Sequence, residues 1–330
     1  MNNSAVQPLY PLIIQGIQNN IFPNNFSSNF NLINTSSNVN YTINRDADAI
    51  IIDGLIIPKT VNLDKIKNIQ LQIGGMIIFN LPFDIIDKKN IKVSNNNNNY
   101  IISIPKELLV FESSNEYFKN NFIIPLVSLA SHIVQFNINS DEHFDYKIIT
   151  KNVYYDTNIR QSMITNPQYI DVYGYEEFQI NSDMTTIHPN LISTGMYIKL
   201  NDILSNYKLY KNGMNTNEIT EEIIEFYNFL IKKDGWTDKH SLALYSSLNN
   251  YLPPEMILHI ESFIDKNNTY LYYIPFNLVN NNIEGTINFG MVDNIRVKIE
   301  TCNKKYNGKF YVKNINRLQI CDGMAGLKYS

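Results

Sequence analysis

The residues able to act as ligands, bases or nucleophiles are few and widely spaced. The five histidines are His132, His143, His188, His240 and His259. A cupin-type metal site needs two close histidines and a carboxylate on one strand, and no candidate strand here carries two histidines. His143 follows Asp141-Glu142, a trio that suits a solvated loop better than a cation site. His132 lies on an apolar segment with no Asp, Glu or Cys at useful spacing, so it reads as a structural histidine. Asp156 and Arg160 are four apart and suit an ion pair that fixes a strand end. Two cysteines, Cys302 and Cys321, cannot complete a four-ligand zinc centre alone. Free buried thiols in a reducing compartment are expected, with a disulfide as the alternative. There is no Walker-type phosphate loop, no GxGxxG after a strand, no HExxH and no CxxC. The sequence therefore predicts no catalytic, cofactor-binding or metal-binding residues, and a protein that is not an enzyme. A cupin-like metalloenzyme stands as the enzymatic alternative.

What positions these residues is a strand-rich chain. The 330 residues suffice for one large or two ordinary domains. Apolar residues make up 44%, enough for real cores, while charged residues are only 18% and asparagine carries much of the polar surface. Tyr and Phe, at 22 and 17 residues, favour strands. The net charge is −4 and no long Lys/Arg run occurs, which argues against direct grip on nucleic-acid phosphates. The first apolar segment, residues 9–17, is short and broken by Pro11 and Gly16, and no window reaches the length of a membrane span. The expectation is a soluble chain without a signal peptide.

Along the chain, residues 1–30 are rich in Asn, Pro and Ser and read as an N-terminal arm. Residues 45–58 hold a buried apolar run closed by Pro58. Ile69, Leu71 and Ile73 alternate with Gln70 and Gln72, and Gly74-Gly75 marks a turn or bulge. Residues 94–99 form a Ser/Asn loop tip, and Val134, Phe136 and Ile138 share one face of a further strand. Residues 216–266 break the pattern: Ile219, Ile223, Phe226, Tyr227 and Leu230 follow helical spacing, with acids in the first turn, Lys232-Lys233 in the last and Gly235 as the stop. Leu242, Tyr245 and Leu248 suggest a second helix and residues 252–264 a third. Period two then returns. Tyr270, Tyr272, Ile274, Phe276 and Leu278 lie on one side of a strand; Ile287, Phe289 and Met291 on one side of the next; Ile295, Val297 and Ile299 on one side of the third.

Several of these stretches carry a resemblance. The order of a tyrosine-rich strand, an Asn/Gly turn, an Asn-Phe strand, an Asp-Asn turn and an alternating strand resembles the end of the double jelly-roll major capsid proteins of nucleocytoplasmic large DNA viruses. Gly323-Met324-Ala325-Gly326-Leu327 followed by Tyr329-Ser330 is similar to that family's C-terminal signature. Arg45 to Ile50 resembles its early Arg-x-x-Asp strand, and Gln72-Ile73-Gly74-Gly75 its Ile-Gly-Gly strand end. Pro125, Leu126, Leu129, His132 and Asn137 match a further stretch in order. Tyr154-Tyr155-Asp156-Thr157, Arg160 and Gln168-Tyr169-Ile170 resemble the last strands of the first jelly roll.

The resemblance covers roughly residues 40–185 and 268–330. It implies an all-β fold of tandem antiparallel jelly rolls: an arm at 1–30, a first roll at 31–185, and a second at 186–330 with a helical insertion at about 216–266. It implies a homotrimer forming a pseudo-hexagonal capsomer of an icosahedral shell, with neighbouring capsomers or minor capsid proteins as further partners. It places the protein in the virion, assembled in the host cytoplasm, and leaves open contact with an inner viral membrane. The chain is shorter than typical members. Glu284-Gly285-Thr286 stands where the family has Pro-Ser-Gly, Gly290-Met291 stands where it has Ser-Arg, and the second arginine after Asp156 is absent. Main shell subunit, minor or paralogous component, and transient scaffold therefore remain open. Residues 252–264 also resemble the opening of an F-box, which makes a helical module recruiting a host adaptor the alternative of another class.

Overall fold

The computed structural model describes residues 27–86, 90–94, 98–105, 108–110, 122–189, 191–219, 269–276 and 286–329. The first strands in chain order are β1 (Ser27–Ser36), β2 (Tyr41–Thr42), β3 (Ala49–Pro58), β4 (Ile66–Ile73) and β5 (Met76–Pro82). Next come β6 (Ile91–Val93), β7 (Asn99–Ser103), β8 (Ile123–Ile124), β9 (Val134–Ser140) and β10 (Asp145–Tyr154). Helix α1 (Thr157–Thr165) follows, then β11 (Gln168–Ile180), β12 (Met184–Ile187), β13 (Ile192–Leu200), β14 (Leu204–Lys211) and β15 (Met214–Ile219). The last group is β16 (Tyr270–Pro275), β17 (Ile287–Asn288), β18 (Ile295–Thr301), β19 (Gly308–Cys321) and β20 (Met324–Leu327). The chain forms two compact units. Of the described residues, one unit comprises those up to Asn80 and within Val93–Val172 and Arg317–Lys328; the other comprises those within Leu81–Lys92 and Tyr173–Asn316, with Tyr329.

The first unit contains two antiparallel sheets, ordered β1-β10-β3-β7-β6, with β8 also on β3, and β2-β9-β4-β5. The alternation read in the sequence sets the register of the second. Ile69 lies opposite Ile138, Leu71 opposite Phe136 and Ile73 opposite Val134, and all six are buried. A one-residue slip would turn every one of them to the other face, which is why this register is strongly specified. The Gly74-Gly75 turn joins β4 to β5 with both residues at positive φ, the left-handed pair that a two-residue hairpin loop needs.

Helix α1 is a departure from the strand end expected at 154–160. Its Ile159 and Met163, one turn apart, pack on Ala49, Ile51, Ile123, Val153 and Tyr155. It stops at Asn166 because Pro167 excludes the helical region for the residue before it. The arm expected at 1–30 also ends early, since Ser27 already begins β1. Residues 27–30 fall in the stretch read as an arm by composition, yet the backbone of β1 pairs with β10 over its whole length.

Two further sheets run β11-β19-β13-β16, with β17 also on β13 and β20 on β19, and β12-β18-β14-β15; the start of β11, the end of β19 and β20 fall in the first unit and the rest in the second. Met196, Ile198, Phe310, Val312, Tyr272 and Ile274 of the former share one core with Ile187, Tyr207, Leu209, Val297 and Ile299 of the latter. Each such side chain contributes about 1.5–3 kcal/mol on leaving water. The inward set Ile295, Val297 and Ile299 is as expected. Met291 is not: it is 81% exposed, because the chain turns into a short 3₁₀ segment at Phe289–Met291 and the alternation lapses. Residues 216–219, expected to open the helical segment, instead finish β15, which pairs with β14. The remainder of 216–266, with the F-box-like stretch at 252–264, and Leu278 lie outside the described residues.

Tyr207 is fully buried in this core and its hydroxyl has no hydrogen-bond partner. Burial alone pushes its phenol well above the ordinary range. A buried unsatisfied hydroxyl costs about 1–3 kcal/mol. Tyr207→Phe is therefore expected to leave stability unchanged or raise it by up to about 1 kcal/mol in urea unfolding. A loss of more than that would show that the hydroxyl is satisfied in solution.

Candidate functional site

The side chains singled out for chemistry are not brought together. His143 and His188 are exposed and apart in sequence, on a turn and beyond the end of β12, while His240 and His259 lie outside the described residues. Asp141, next to His143, pairs with Lys67 at 2.5 Å. Cys302 sits exposed in a turn and Cys321 half-buried at the end of β19; both are free thiols, but neither is buried as expected, because each stands where a strand gives way to a turn. Among the described residues no group of three or more His, Cys, Asp or Glu is placed to hold a metal ion. No helix among them is long and apolar enough to cross a membrane.

What does converge is a set of residues read from distant parts of the sequence as structural markers. Arg45 lies on the approach to β3. Its guanidinium donates to the carbonyls of Ala130 at 2.6 Å and Leu129 at 2.7 Å, and to that of His132. A planar fork with fixed donors suits three carbonyls at one loop, where a lysine would satisfy fewer. The same loop receives the C-terminal hairpin. Ser131 N–H donates to the Gly323 carbonyl at 2.9 Å, and Ala325 N–H donates to His132 Nδ1 at 3.0 Å. The imidazole lies against Gly74, where a Cβ would stand 2.7 Å from Nδ1. Arg45, Gly74, His132 and the Gly323–Ala325 turn thus form one cluster within the first unit.

Asp48, three residues after Arg45, forms a second anchor. Its buried carboxylate accepts from Tyr155 N–H at 2.8 Å and from Arg160 Nε at 2.8 Å and Nη2 at 3.1 Å. This corrects the Asp156–Arg160 pair expected from spacing. Once residues 157–165 coil into α1, Arg160 Nε meets Asp48, while the Asp156 carbonyl accepts the Arg160 N–H. Beneath α1, Ser128 Oγ donates to the Met163 carbonyl, and Gln168 Nε2 donates to both. A third paired group, Arg317 with Asp171, bridges β19 and β11 at 2.7 Å and 3.0 Å.

In the second unit Asp202 does comparable work. It accepts from the N–H groups of Ile203 and Asn303 and from the Asn303 side chain, each at 2.8 Å, tying the β13–β14 turn to the β18–β19 turn. Burial opposes its ionisation, but the Asn303 and Ile203 hydrogen bonds outweigh burial and lower its pKa. Asp84 receives Lys199 Nζ at 2.7 Å and the Tyr311 hydroxyl at 2.7 Å. Sequence reasoning missed Asp202 and Asp84, for a lone acid near a strand end carries no periodic signal.

These arrangements fix loops and strand ends; they present no nucleophile–base pair and no cation cradle. No protein-family model and no curated protein matches the chain in sequence. Solved structures do match in shape. A PBCV-1 virus capsid model is similar with a TM-score of 0.61 at 13% identity, over 93% of this chain and 97% of that one. The PBCV-1 VP54 structure fitted into a reconstruction of the virophage Sputnik gives 0.61 at 12%, over 94% and 99%. The Faustovirus major capsid protein gives 0.55 at 7%, over 97% and 92%. The chain therefore has the all-β, double jelly-roll fold found in those capsid proteins.

Two outcomes test the anchors. Asp48→Ala leaves Tyr155 N–H and Arg160 without their carboxylate and is expected to cost about 2–4 kcal/mol in chemical unfolding, whereas Asp156→Ala costs less than about 1 kcal/mol. Equal effects would contradict the assignment. For Asp202, a lowered folded pKa means that the contribution is present above the ordinary Asp value of about 4 and is lost as pH falls through the lowered one. Asp202→Asn is expected to cost about 1–2 kcal/mol at pH 7, with the gap to wild type closing in acid. A gap constant from pH 7 to pH 2 would contradict this.

Proposed function

We propose that the chain is a structural viral capsid protein that assembles as a homotrimer into pseudo-hexagonal capsomers of an icosahedral shell. The carrying observation is the likeness to capsid subunits across nearly the full length of both chains. In this reading residues 27–185 and 186–330 are the two jelly rolls, and residues before Ser27 act as an arm. The protein works by burying surface between subunits rather than by catalysis. Its place is the virion, reached by assembly in the host cytoplasm, and its partners are copies of itself and neighbouring capsomers or minor capsid proteins.

The surface of the first unit supports assembly. Strand β1 is the outer strand of its sheet, ten residues long, and its sequence SSNFNLINTS has no charge and no proline. It pairs with β10 without a register shift. Proteins that keep sheet edges unpaired protect them with lysine, proline, bulges or short strands, and β1 uses none of these. Phe30 is 72% and Leu32 52% exposed, and half-buried Ile149 lies directly opposite Leu32.

Light scattering on the full chain is expected to give three times the monomer mass. Phe30→Lys with Leu32→Lys is expected to shift that mass towards monomer, with thermal stability changed by no more than about 0.5 kcal/mol for these exposed positions. A wild type that stays monomeric at high concentration would contradict the trimer. A trimer insensitive to both substitutions would remove β1 from its interface.

A further inference from the structure

We propose that His132 makes the docking of the C-terminal hairpin pH-sensitive, holding it while the imidazole is neutral and releasing it on protonation. The hairpin is formed by the end of β19 and β20, with Cys321 opposite Met324 across the Asp322-Gly323 turn. Its tip meets the 129–132 loop through two hydrogen bonds of different character. Ser131 N–H to Gly323 O is a backbone bond, indifferent to pH in the physiological range. Ala325 N–H to His132 Nδ1, at 3.0 Å, needs a lone pair on that nitrogen. It therefore exists only in the neutral tautomer that carries its proton on Nε2.

A proton taken from solvent onto Nδ1 turns the acceptor into a donor facing the Ala325 N–H, so the bond is lost and two donors oppose each other. The ring has no ready retreat on the side of Gly74. That residue sits at positive φ with its backbone so close that a Cβ would stand 2.7–2.9 Å from Nδ1, Cγ and Cε1 of the imidazole. The hairpin tip is the part left to move.

The two sides of this contact differ in what holds them. The loop is clamped by Arg45, a cation at every accessible pH, through the carbonyls of Leu129, Ala130 and His132. The hairpin tip depends on the histidine. The segments packed there carry few other charges. The Gly74-Gly75 turn and the 129–131 stretch have none. The Arg45 segment places its guanidinium on the His132 carbonyl, with Asp46 beside it in sequence. The hairpin turn carries Cys321 and Asp322, whose thiol and carboxylate bond each other at 3.3 Å. Acid thus unfastens the tip while leaving the loop, and the β19–β20 pairing behind the tip, in place.

Hydrogen exchange read by mass spectrometry on the full chain, corrected for intrinsic rates, tests this. Protection of the Ala325 amide, resolved from overlapping peptides within 323–329, is expected to fall about ten-fold from pH 8 to pH 5, the effect of losing one such bond, while peptides from β9 and β4 keep theirs. His132→Gln, whose amide oxygen accepts at either pH, is expected to abolish the drop. Wild-type protection at 323–329 that stays level across that range would overturn the proposal. So would an equal drop in a folded His132→Gln variant.

Discussion

Arg45 and Asp48 stand three residues apart at the entry to β3, and the first unit depends on where their two charges go. Asp48 enters the buried side of the strand end and holds Tyr155 N–H and Arg160. Arg45 holds three carbonyls of the 129–132 loop. Both connect segments more than eighty residues apart in the chain. In a two-sheet fold the strands supply their own backbone partners, but the loops do not, and buried loop carbonyls and N–H groups are costly when unpaired. A chain with so few charged residues places them where those groups need them. The C-terminal hairpin, docked on the loop that Arg45 holds, inherits its position from the same residue.

Much of the architecture was legible because antiparallel sheets announce themselves by alternation. Ile69, Leu71 and Ile73 opposite Ile138, Phe136 and Val134 are a direct consequence of period two on both strands. Where alternation is interrupted, the sequence misleads. Met291 continues the pattern of Ile287 and Phe289 on paper, yet the 3₁₀ turn at Phe289 rotates it into solvent. Residues 216–219 fit a helical period, but β14 offers them a strand partner, and tertiary pairing overrides a weak local preference. The four-residue step from Asp156 to Arg160 suggested a local pair. The true partner, Asp48, is more than a hundred residues away, and no local spacing reports such a contact.

The histidine at the hairpin shows the same limit from another side. Its sequence context read His132 as structural and gave no hint of what it touches. Gly74, Arg45, His132 and Ala325 each belonged to a separate stretch with its own resemblance, and only folding sets Gly74 and Ala325 against the His132 ring and Arg45 on its carbonyl. Residues without chemical partners in sequence thus form one hydrogen-bonded cluster of the first unit. Their work is mechanical: they decide how firmly a terminal hairpin sits. That suits a protein whose proposed task is to hold its neighbours.

Copy number in the particle measures most directly whether the chain builds a shell, as proposed. Quantitative mass spectrometry of purified particles of the virus encoding it is expected to find the chain at structural abundance. A multiple of three per capsomer position would mark a main shell subunit, and a smaller fixed number a minor component. Its absence from purified particles would contradict the account.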